Sequence, residues 1–346
     1  MFKRIKNLRV FLNDSDKKNM FKIIKEVIQF TFVKKAIPTD YFRKYLYRND
    51  VFNIKNYLSY KEYNGILLSN KIVFHEVSAL LENKLCFHLI CEKHGINTPQ
   101  LISYNFKNMF YYNNRPIILQ NLNQLSTFFE NVFTTEKINI LFLKPVDGIG
   151  GKGCFLLYKD NLKKQLLERE QQLLNTSFLH EEYIVQHANI NTIHANSINT
   201  LRIVTSIDNK HEIQVVSVLM RFGVGKSITD NTHTGGFYIS VDITTGKLTG
   251  IGRQDIVMGG NVFIEHPDSK QVLEGFKVPF FKEACDLVLE ANPYFPSKII
   301  GWDVAIATTG PVIIEANHNP SLHMSDVAYG GYCKHPIIKE ILKDIS

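Results

Sequence analysis

Cysteine is scarce and scattered. The five thiols, Cys86, Cys91, Cys154, Cys285 and Cys333, include no CxxC pair. That argues against a disulfide framework and a structural zinc cluster, and fits the reduced thiols of a cytosolic protein. No apolar run approaches the roughly 18–20 residues that span a bilayer. The first residues lack the apolar core and small-residue cleavage site of a secretory signal. A Walker-type phosphate loop is also missing: its one near match, Gly225-Lys226-Ser227, needs glycine at position 220 and has Met220. P-loop NTPases are thereby set aside. There is no internal repeat and no low-complexity segment. What remains, 346 residues of ordinary apolar and charged content, is enough for two domains with sizeable cores.

Charge is present but uneven. Residues 1–62 carry 15 Lys/Arg against 6 Asp/Glu, whereas the whole chain is only +7. Such a segment can meet anionic lipid or a phosphorylated substrate, or be a solvated helical face. It lacks the interleaved aromatic and basic residues of a nucleic-acid module, and no nucleic-acid partner is expected.

Three regions follow from the patterning. Residues 1–75 alternate apolar and basic groups at helical spacing and read as a basic helical arm. Residues 76–186 begin with an amphipathic helix running to His94 and stopped by Gly95. The runs "RPIILQ", "KINILFLKPV" and "FLLY" then read as strands, with a polar helix near 160–175. Residues 187–346 are rich in strand signals, interrupted by one long helix at about 276–291. The class is α+β, with a large, mostly antiparallel sheet in the C-terminal half.

Three groups of residues carry chemistry. The stretch "GWDVAIATTGPVIIEAN" reads as a hairpin turning at Thr308-Thr309-Gly310. Pairing Ala307 with Pro311 sets Asp303 opposite Glu315, and strand alternation puts Asp303, Glu315 and Asn317 on one side. Facing carboxylates repel unless a cation lies between them. Hard oxygen ligands suit Mg²⁺, and a solvated acidic face is the alternative. In "FLKPVDGIGGKGC" a strand delivers Lys144 into a loop containing Gly148, Gly150, Gly151, Lys152 and Gly153. Backbone N–H groups in such a loop can approach phosphate, although glycine-rich hairpins without ligands are common. Arg202 and Arg221 sit on two strands joined through Asp208-Asn209, so both guanidiniums can reach one end of a sheet, as an anion grip or as a solvated edge.

Taken in order, Lys84, Lys144 with its glycine loop, "EEYIVQ", Arg202, Arg221, "DNTHTGG" and the closing Asp–hairpin–Glu-x-Asn resemble the ATP-grasp superfamily of carboxylate–amine ligases over about residues 76–325. The segments "INTLRIVT", "DNTHTGGFYISVDITTG" and "HPDS" resemble its sugar-transfer-associated branch. The resemblance implies two α+β subdomains clasping ATP, preceded by the helical arm. It implies ATP-phosphate contacts from Lys84, Lys144 and Lys152, and a closing loop at Gly148, Gly150 and Gly151. An adenine-binding hinge is implied at Glu181, Glu182 and Ile184. Asp303, Glu315 and Asn317 are implied as ligands of one or two Mg²⁺ ions. Arg202 and Arg221 would face the reacting phosphates, beside a turn containing Asn231 and Gly236. His266, Ser321 and His323 are candidate substrate contacts, ordinary polar roles being the alternative for the histidines.

The sequence departs from the superfamily pattern in three places. Gly301 stands where many ligases have an arginine, two residues before the metal aspartate, so that arginine's work falls to Arg202 or Arg221. After the Glu-x-Asn, the common Pro-Gly is Pro320-Ser321. No acidic ribose contact is evident after the hinge. The implied reaction is ATP-driven amide formation through an acyl phosphate, releasing ADP, on small-molecule or glycan-linked carboxylates and amines in surface-polysaccharide modification. The protein would be cytoplasmic, touching the inner face of the membrane through its basic arm. A small-molecule phosphotransferase and a non-catalytic nucleotide-binding scaffold are the alternatives.

Overall fold

Among the residues that a computed structural model describes (9–74, 76, 78–148 and 150–345), the strand-like runs form two antiparallel sheets. The first has six strands: β1 (Leu101–Phe106), β2 (Met109–Tyr112), β3 (Arg115–Ile118), β4 (Ile140–Pro145), β5 (Phe155–Tyr158) and β6 (Phe178–Glu182). They lie in the order β3-β2-β1-β6-β4-β5. The helices Leu122–Glu136 and Leu162–Asn175 bury Phe128, Phe129, Phe133, Leu166 and Leu173 with the sheet residues Leu141, Leu143, Phe155 and Phe178. Strands β1 and β2 lie outside the sequence expectation. Their aromatic and polar residues show no long apolar run, and Asn105 is completely buried, its amide donating to the carbonyls of Lys107, Leu173 and Thr176.

The second sheet has seven strands: β7 (Thr200–Ile207), β8 (Ile213–Phe222), β9 (Phe237–Val241), β10 (Leu248–Gln254), β11 (Val262–Phe263), β12 (Ile299–Ala307) and β13 (Gly310–Asn317). Their order is β11-β10-β9-β8-β7-β12-β13. This is the expected antiparallel C-terminal sheet. The long helix is shorter than the pattern suggested, Phe281–Ala291. The amphipathic run ending at His94 is also divided. It forms helices Ala79–Glu82 and Lys84–Lys93, because the Asn83 side chain caps the second by accepting from the N–H groups of Leu85 and Cys86.

The chain separates into two compact units. One contains the described residues up to Ser78 together with those from Gln186 onward; the other is Ala79–Val185. The basic arm is therefore part of the body that holds the seven-stranded sheet. Residues 1–8 of that arm lie outside the described residues. Its helices Met20–Lys34 and Thr39–Arg43 form a core with Tyr45, Tyr47, Ile256 and Val327, and Ile66 of the helix Tyr60–Leu68 packs in a second core with Ile299 and Ile338. Several basic residues are spent holding it in place. Lys44 Nζ lies 2.6 Å from Asp326 Oδ2 in a fully buried pair, and Arg48 donates to Asp14 and to the Gly260 carbonyl. Among the described residues, no helix is long and apolar enough to cross a membrane.

Candidate functional site

The hairpin β12–β13 brings its two acids together, by a different route from the one expected. Ala307 pairs with Gly310 across a two-residue turn, one position away from the expected partner. A β-bulge at Ile314 restores the offset, so Asp303 pairs with Glu315 and Gly301 with Asn317. On its other side Asp303 pairs with Arg202 of β7. Trp302, Val304 and Ile306 point to the opposite, buried face.

Arg202 grips Asp303 with a fork, Nε to Oδ1 at 2.6 Å and Nη2 to Oδ2 at 3.1 Å. Arg221 Nη2 reaches the same Oδ2 at 3.0 Å. Behind it, Arg221 donates to Thr200 Oγ1, whose hydroxyl in turn donates to Asp230 Oδ2, and Arg221 Nε lies 3.4 Å from that oxygen. Burial pushes the Asp303 carboxyl upward, but Arg202 and Arg221 outweigh it and hold the group below its ordinary value. Glu315 lies within side-chain hydrogen-bonding reach and acts in the same direction. Burial likewise disfavours the charged Arg221, yet Asp230, Asp303 and Glu315 together raise its pKa. Asp230, where burial prevails over Arg221, is raised.

Asp303 is thus gripped by two guanidiniums, with Glu315 opposite it on β13 and Asp230 behind Arg221. Asn317, paired with Gly301, has its Nδ2 buried without a hydrogen bond. Two facing carboxylates and an amide oxygen form a hard donor set, and these residues fit Mg²⁺.

The two departures at Gly301 and Pro320-Ser321 have a shared physical basis. A Cβ on Gly301 would stand 2.7 Å from Pro320 Cα and 3.3 Å from Arg202 Nη1. The Arg202 guanidinium therefore occupies the space beside Gly301, where a side chain at that position would begin. Ser321 takes φ 55°, the left-handed conformation that glycine adopts without strain. Asn231 and Gly236 close a tight turn: Asn231 Oδ1 accepts from the N–H of His233, and Gly236 N–H donates to the Asn231 carbonyl. A Cβ on Gly236 would meet three backbone oxygens at 2.7–2.9 Å, so only glycine fits.

In the other unit, Lys144 lies on β4 and Glu181 on β6. They form a buried ion pair of 2.7 Å. Lys84, the first residue of its helix, donates to the Gly148 carbonyl, which ties that helix to the loop. Gly150, Gly151 and Gly153 all take positive φ, at 64°, 73° and 83°. Lys152 is exposed. Glu182 accepts from the Gln100 N–H, and Ile184, half-buried, lies just beyond the end of β6.

His266 is not free for substrate. It is fully buried, donates through Nε2 to the Gly223 carbonyl, accepts at Nδ1 from the Asp268 N–H, and stacks on His194 at 4.8 Å. Burial lowers the pKa of both rings. His194, His266 and Asp268 place possible ligand atoms within 4.8 Å of one another, but Asp268 Oδ2 is already engaged by the Gly225 N–H. The group serves to hold 223–225 against 266–268. Ser321 does border the arginine cluster, since Arg202 Nη1 lies 3.4 Å from the carbonyl of Pro320, the residue before it; His323 lies in the helix Leu322–Ala328 that follows, its Nδ1 buried without a hydrogen bond. Sequence reasoning missed Asp230 and Thr200, which orient Arg221, and Tyr63, whose hydroxyl donates to Asn319 at 3.2 Å. Asp230 stands beside the flagged Asn231, but only the strand register links it to Arg221.

A family model described as "Sugar-transfer associated ATP-grasp" matches residues 67–341. No curated protein matches the chain. Among solved structures, biotin carboxylase from Campylobacter jejuni in a β-γ-ATP complex is similar at 11% identity and TM-score 0.45, with 77% of this chain and 46% of that one covered. The ATP-grasp ligase PsnB with a minimal precursor has 12% identity and TM-score 0.42, covering 78% and 62%. D-alanyl-alanine synthetase A from Vibrio cholerae O1 biovar eltor has 11% and 0.45, covering 78% and 66%. The chain thus spans between about half and two thirds of these proteins.

Proposed function

The chain belongs to the sugar-transfer associated ATP-grasp family, and from that premise we propose that it is an ATP- and Mg²⁺-dependent ligase that forms an amide in surface-polysaccharide modification. The observation that carries this reading is Asp303 held by Arg202 and Arg221 with Glu315 opposite, two guanidiniums and two acids gathered at one place on the sheet.

The proposed chemistry begins with a carboxylate, a poor acyl donor. Transfer of the γ-phosphoryl group from ATP converts it to an acyl phosphate and releases ADP. An amine then attacks the acyl carbon, phosphate leaves, and an amide forms. Phosphoryl transfer needs positioning and charge neutralisation more than covalent help. Arg202 and Arg221 spread the negative charge that collects on the phosphoryl oxygens, and Asp303 fixes their orientation. Asp230 and Thr200 keep Arg221 from swinging away. Asp303, Glu315 and Asn317 would hold Mg²⁺, which supplies charge neutralisation to phosphate oxygens when bound. Lys84 and Lys144 bind phosphate, and Gly150, Gly151 and Gly153 provide backbone that can fold close to it.

Incubation with ATP, Mg²⁺ and a panel of amino acids and sugar acids, followed by ADP release and product mass, tests the proposal. ADP together with a new amide is expected, and Asp303→Asn should lose at least about 100-fold in rate. A stable phosphorylated product would instead identify a phosphotransferase, and nucleotide binding without turnover a scaffold.

Peripheral membrane contact is proposed for the arm. The helix Met20–Lys34 leaves Phe21, Ile24, Ile28 and Phe32 exposed beside Lys22 and Lys25, a basic amphipathic surface suited to an anionic lipid interface. Co-sedimentation with phosphatidylserine vesicles, lost in Phe21→Glu/Ile28→Glu, is the expected result.

A further inference from the structure

Where the loop leaving β8 meets the turn 265–272, three ligand-type side chains come together. They are His194, His266 and Asp268, and the scattered thiols take no part. His194 is 3% exposed and His266 completely buried, whereas Asp268 keeps 41% of its side chain in solvent. Asp268 Oδ2 lies 3.5 Å from His194 Nδ1 and 4.0 Å from His266 Nδ1. The two ring centres are 4.8 Å apart.

The tautomer of His266 is fixed by its neighbour. The Gly223 carbonyl can only accept, so Nε2 carries the proton and Nδ1 presents a lone pair. Metal-binding histidines are held in this way, with one ring N–H on a carbonyl and the other nitrogen on the ion. Nδ1 accepts a long bond of 3.2 Å from the Asp268 N–H, which a metal bond would replace. His194 is less settled. Its Nε2 is buried without a hydrogen bond, and its Nδ1 faces the Asp268 carboxylate at more than a good hydrogen-bond length. Ser197 Oγ, the Thr229 carbonyl and His194 Nε2 all lie within 3.1 Å of the point where a Cβ on Gly223 would stand, so acceptors for an Nε2 proton are at hand. Asp268 Oδ2 accepts from the Gly225 N–H, which uses one lone pair and leaves another.

We infer that His194 Nδ1, His266 Nδ1 and Asp268 Oδ2 form a site for a divalent transition-metal ion of the zinc type. Two imidazoles and a carboxylate suit Zn²⁺ better than Mg²⁺, which takes oxygen ligands. With bonds of about 2.0–2.2 Å, neighbouring ligand atoms on such an ion stand roughly 3.0–3.4 Å apart and two imidazole centres about 5 Å apart. The side chains are close to that arrangement already. The exposed side of Asp268 gives the ion a route in, and water completes its coordination. The ion pins the start of the segment 223–236, which carries Asp230, the acid that with Thr200 orients Arg221. It is a clamp on that loop. Its ligands are separate from Asp303, Glu315 and Asn317, and the site stands whether or not the amide-forming reading does.

The test uses the full chain, stripped of metal by a chelator and then held in excess Mg²⁺ so that the Asp303 set is not the site counted. Zn²⁺ is titrated calorimetrically, and unfolding temperature is followed with and without it. Wild type should bind Zn²⁺ at least about tenfold more tightly than His194→Gln or Asp268→Asn. Zn²⁺ should raise the unfolding temperature of wild type more than that of either variant. Asp268→Asn keeps the shape of a half-exposed side chain and its acceptor for Gly225, so it serves if His194→Gln folds poorly. Equal Zn²⁺ affinity in wild type and Asp268→Asn, as scattered surface histidines would give, or no Zn²⁺ binding by wild type, would overturn the site.

Discussion

Ser321 pays a conformational cost that a glycine would avoid. Its left-handed backbone costs a side-chain-bearing residue about 1–2 kcal/mol. Ser321→Gly should therefore raise unfolding stability by about 1 kcal/mol in urea titrations, and unchanged ADP formation would remove Ser321 from the list of substrate contacts. Lys144 tells the opposite story. The sequence presents it as a phosphate-binding lysine, so Lys144→Ala would be expected to silence the protein and leave its fold intact. The buried pair with Glu181 alters that expectation. Removing the lysine alone strands a buried carboxylate and should cost about 3–5 kcal/mol. Lys144→Met combined with Glu181→Gln should recover most of that stability while nucleotide binding stays lost. Residue types were legible in both cases, but the partners that set the cost were not, because a side chain's ion pair depends on strands brought together by the fold.

Elements show a similar division. The apolar runs of β7 and β12 were legible because a strand buried on both faces needs continuous apolar character, and β4, β8 and β13 are apolar enough to be read the same way. The pairing β1–β6 was not, because it is built around polar groups. His180 on β6 is completely buried, bonded to Ser103 Oγ at 2.7 Å and to Asn105 Oδ1 at 3.1 Å. Burial pushes its pKa down to about 3. In the same unit, burial and then Lys144 push His88 down to about 4. Both rings are neutral when folded, whereas the unfolded chain takes up their protons below about pH 6.5. Acidification from pH 6.5 towards pH 4 should destabilise the unit Ala79–Val185 by up to about 1.4 kcal/mol per pH unit for each ring. Hydrogen exchange on β1, β4 and β6 would follow the loss. Protection that stays constant across that range would count against neutral burial of these rings.

At the scale of the whole molecule, the N-terminal arm belongs to one body with the seven-stranded sheet, although the family match starts only at residue 67. Its composition made its helices legible, and a surplus of positive charge suggested a solvated surface. The structure buries part of that charge instead. Lys44 meets the completely buried Asp326, which also accepts from the N–H groups of Leu58 and Tyr332. Asp326→Ala should cost about 3–5 kcal/mol in chemical denaturation, with Lys44 left stranded. A chain beginning at residue 67 should accordingly unfold at markedly lower denaturant than the full protein, because it exposes Ile256 and Val327 where Tyr41, Tyr45 and Tyr47 had covered them.

The bulge at Ile314 can be understood as slack in a tether. A hairpin with a two-residue turn has no spare link if its partners are to stay in step, yet the segment from Asp303 to Glu315 contains one. The surplus could have been taken up at the tip, in a looser turn far from the acids. It is taken up instead one residue from Glu315, where a small change in twist swings a carboxylate rather than a loop. Removing Ile314 should leave Glu315 opposite Asp303 but draw the tether taut. The hairpin would persist and the aim of its second acid would change, so a melt close to wild type with altered Mg²⁺ affinity is the expected signature.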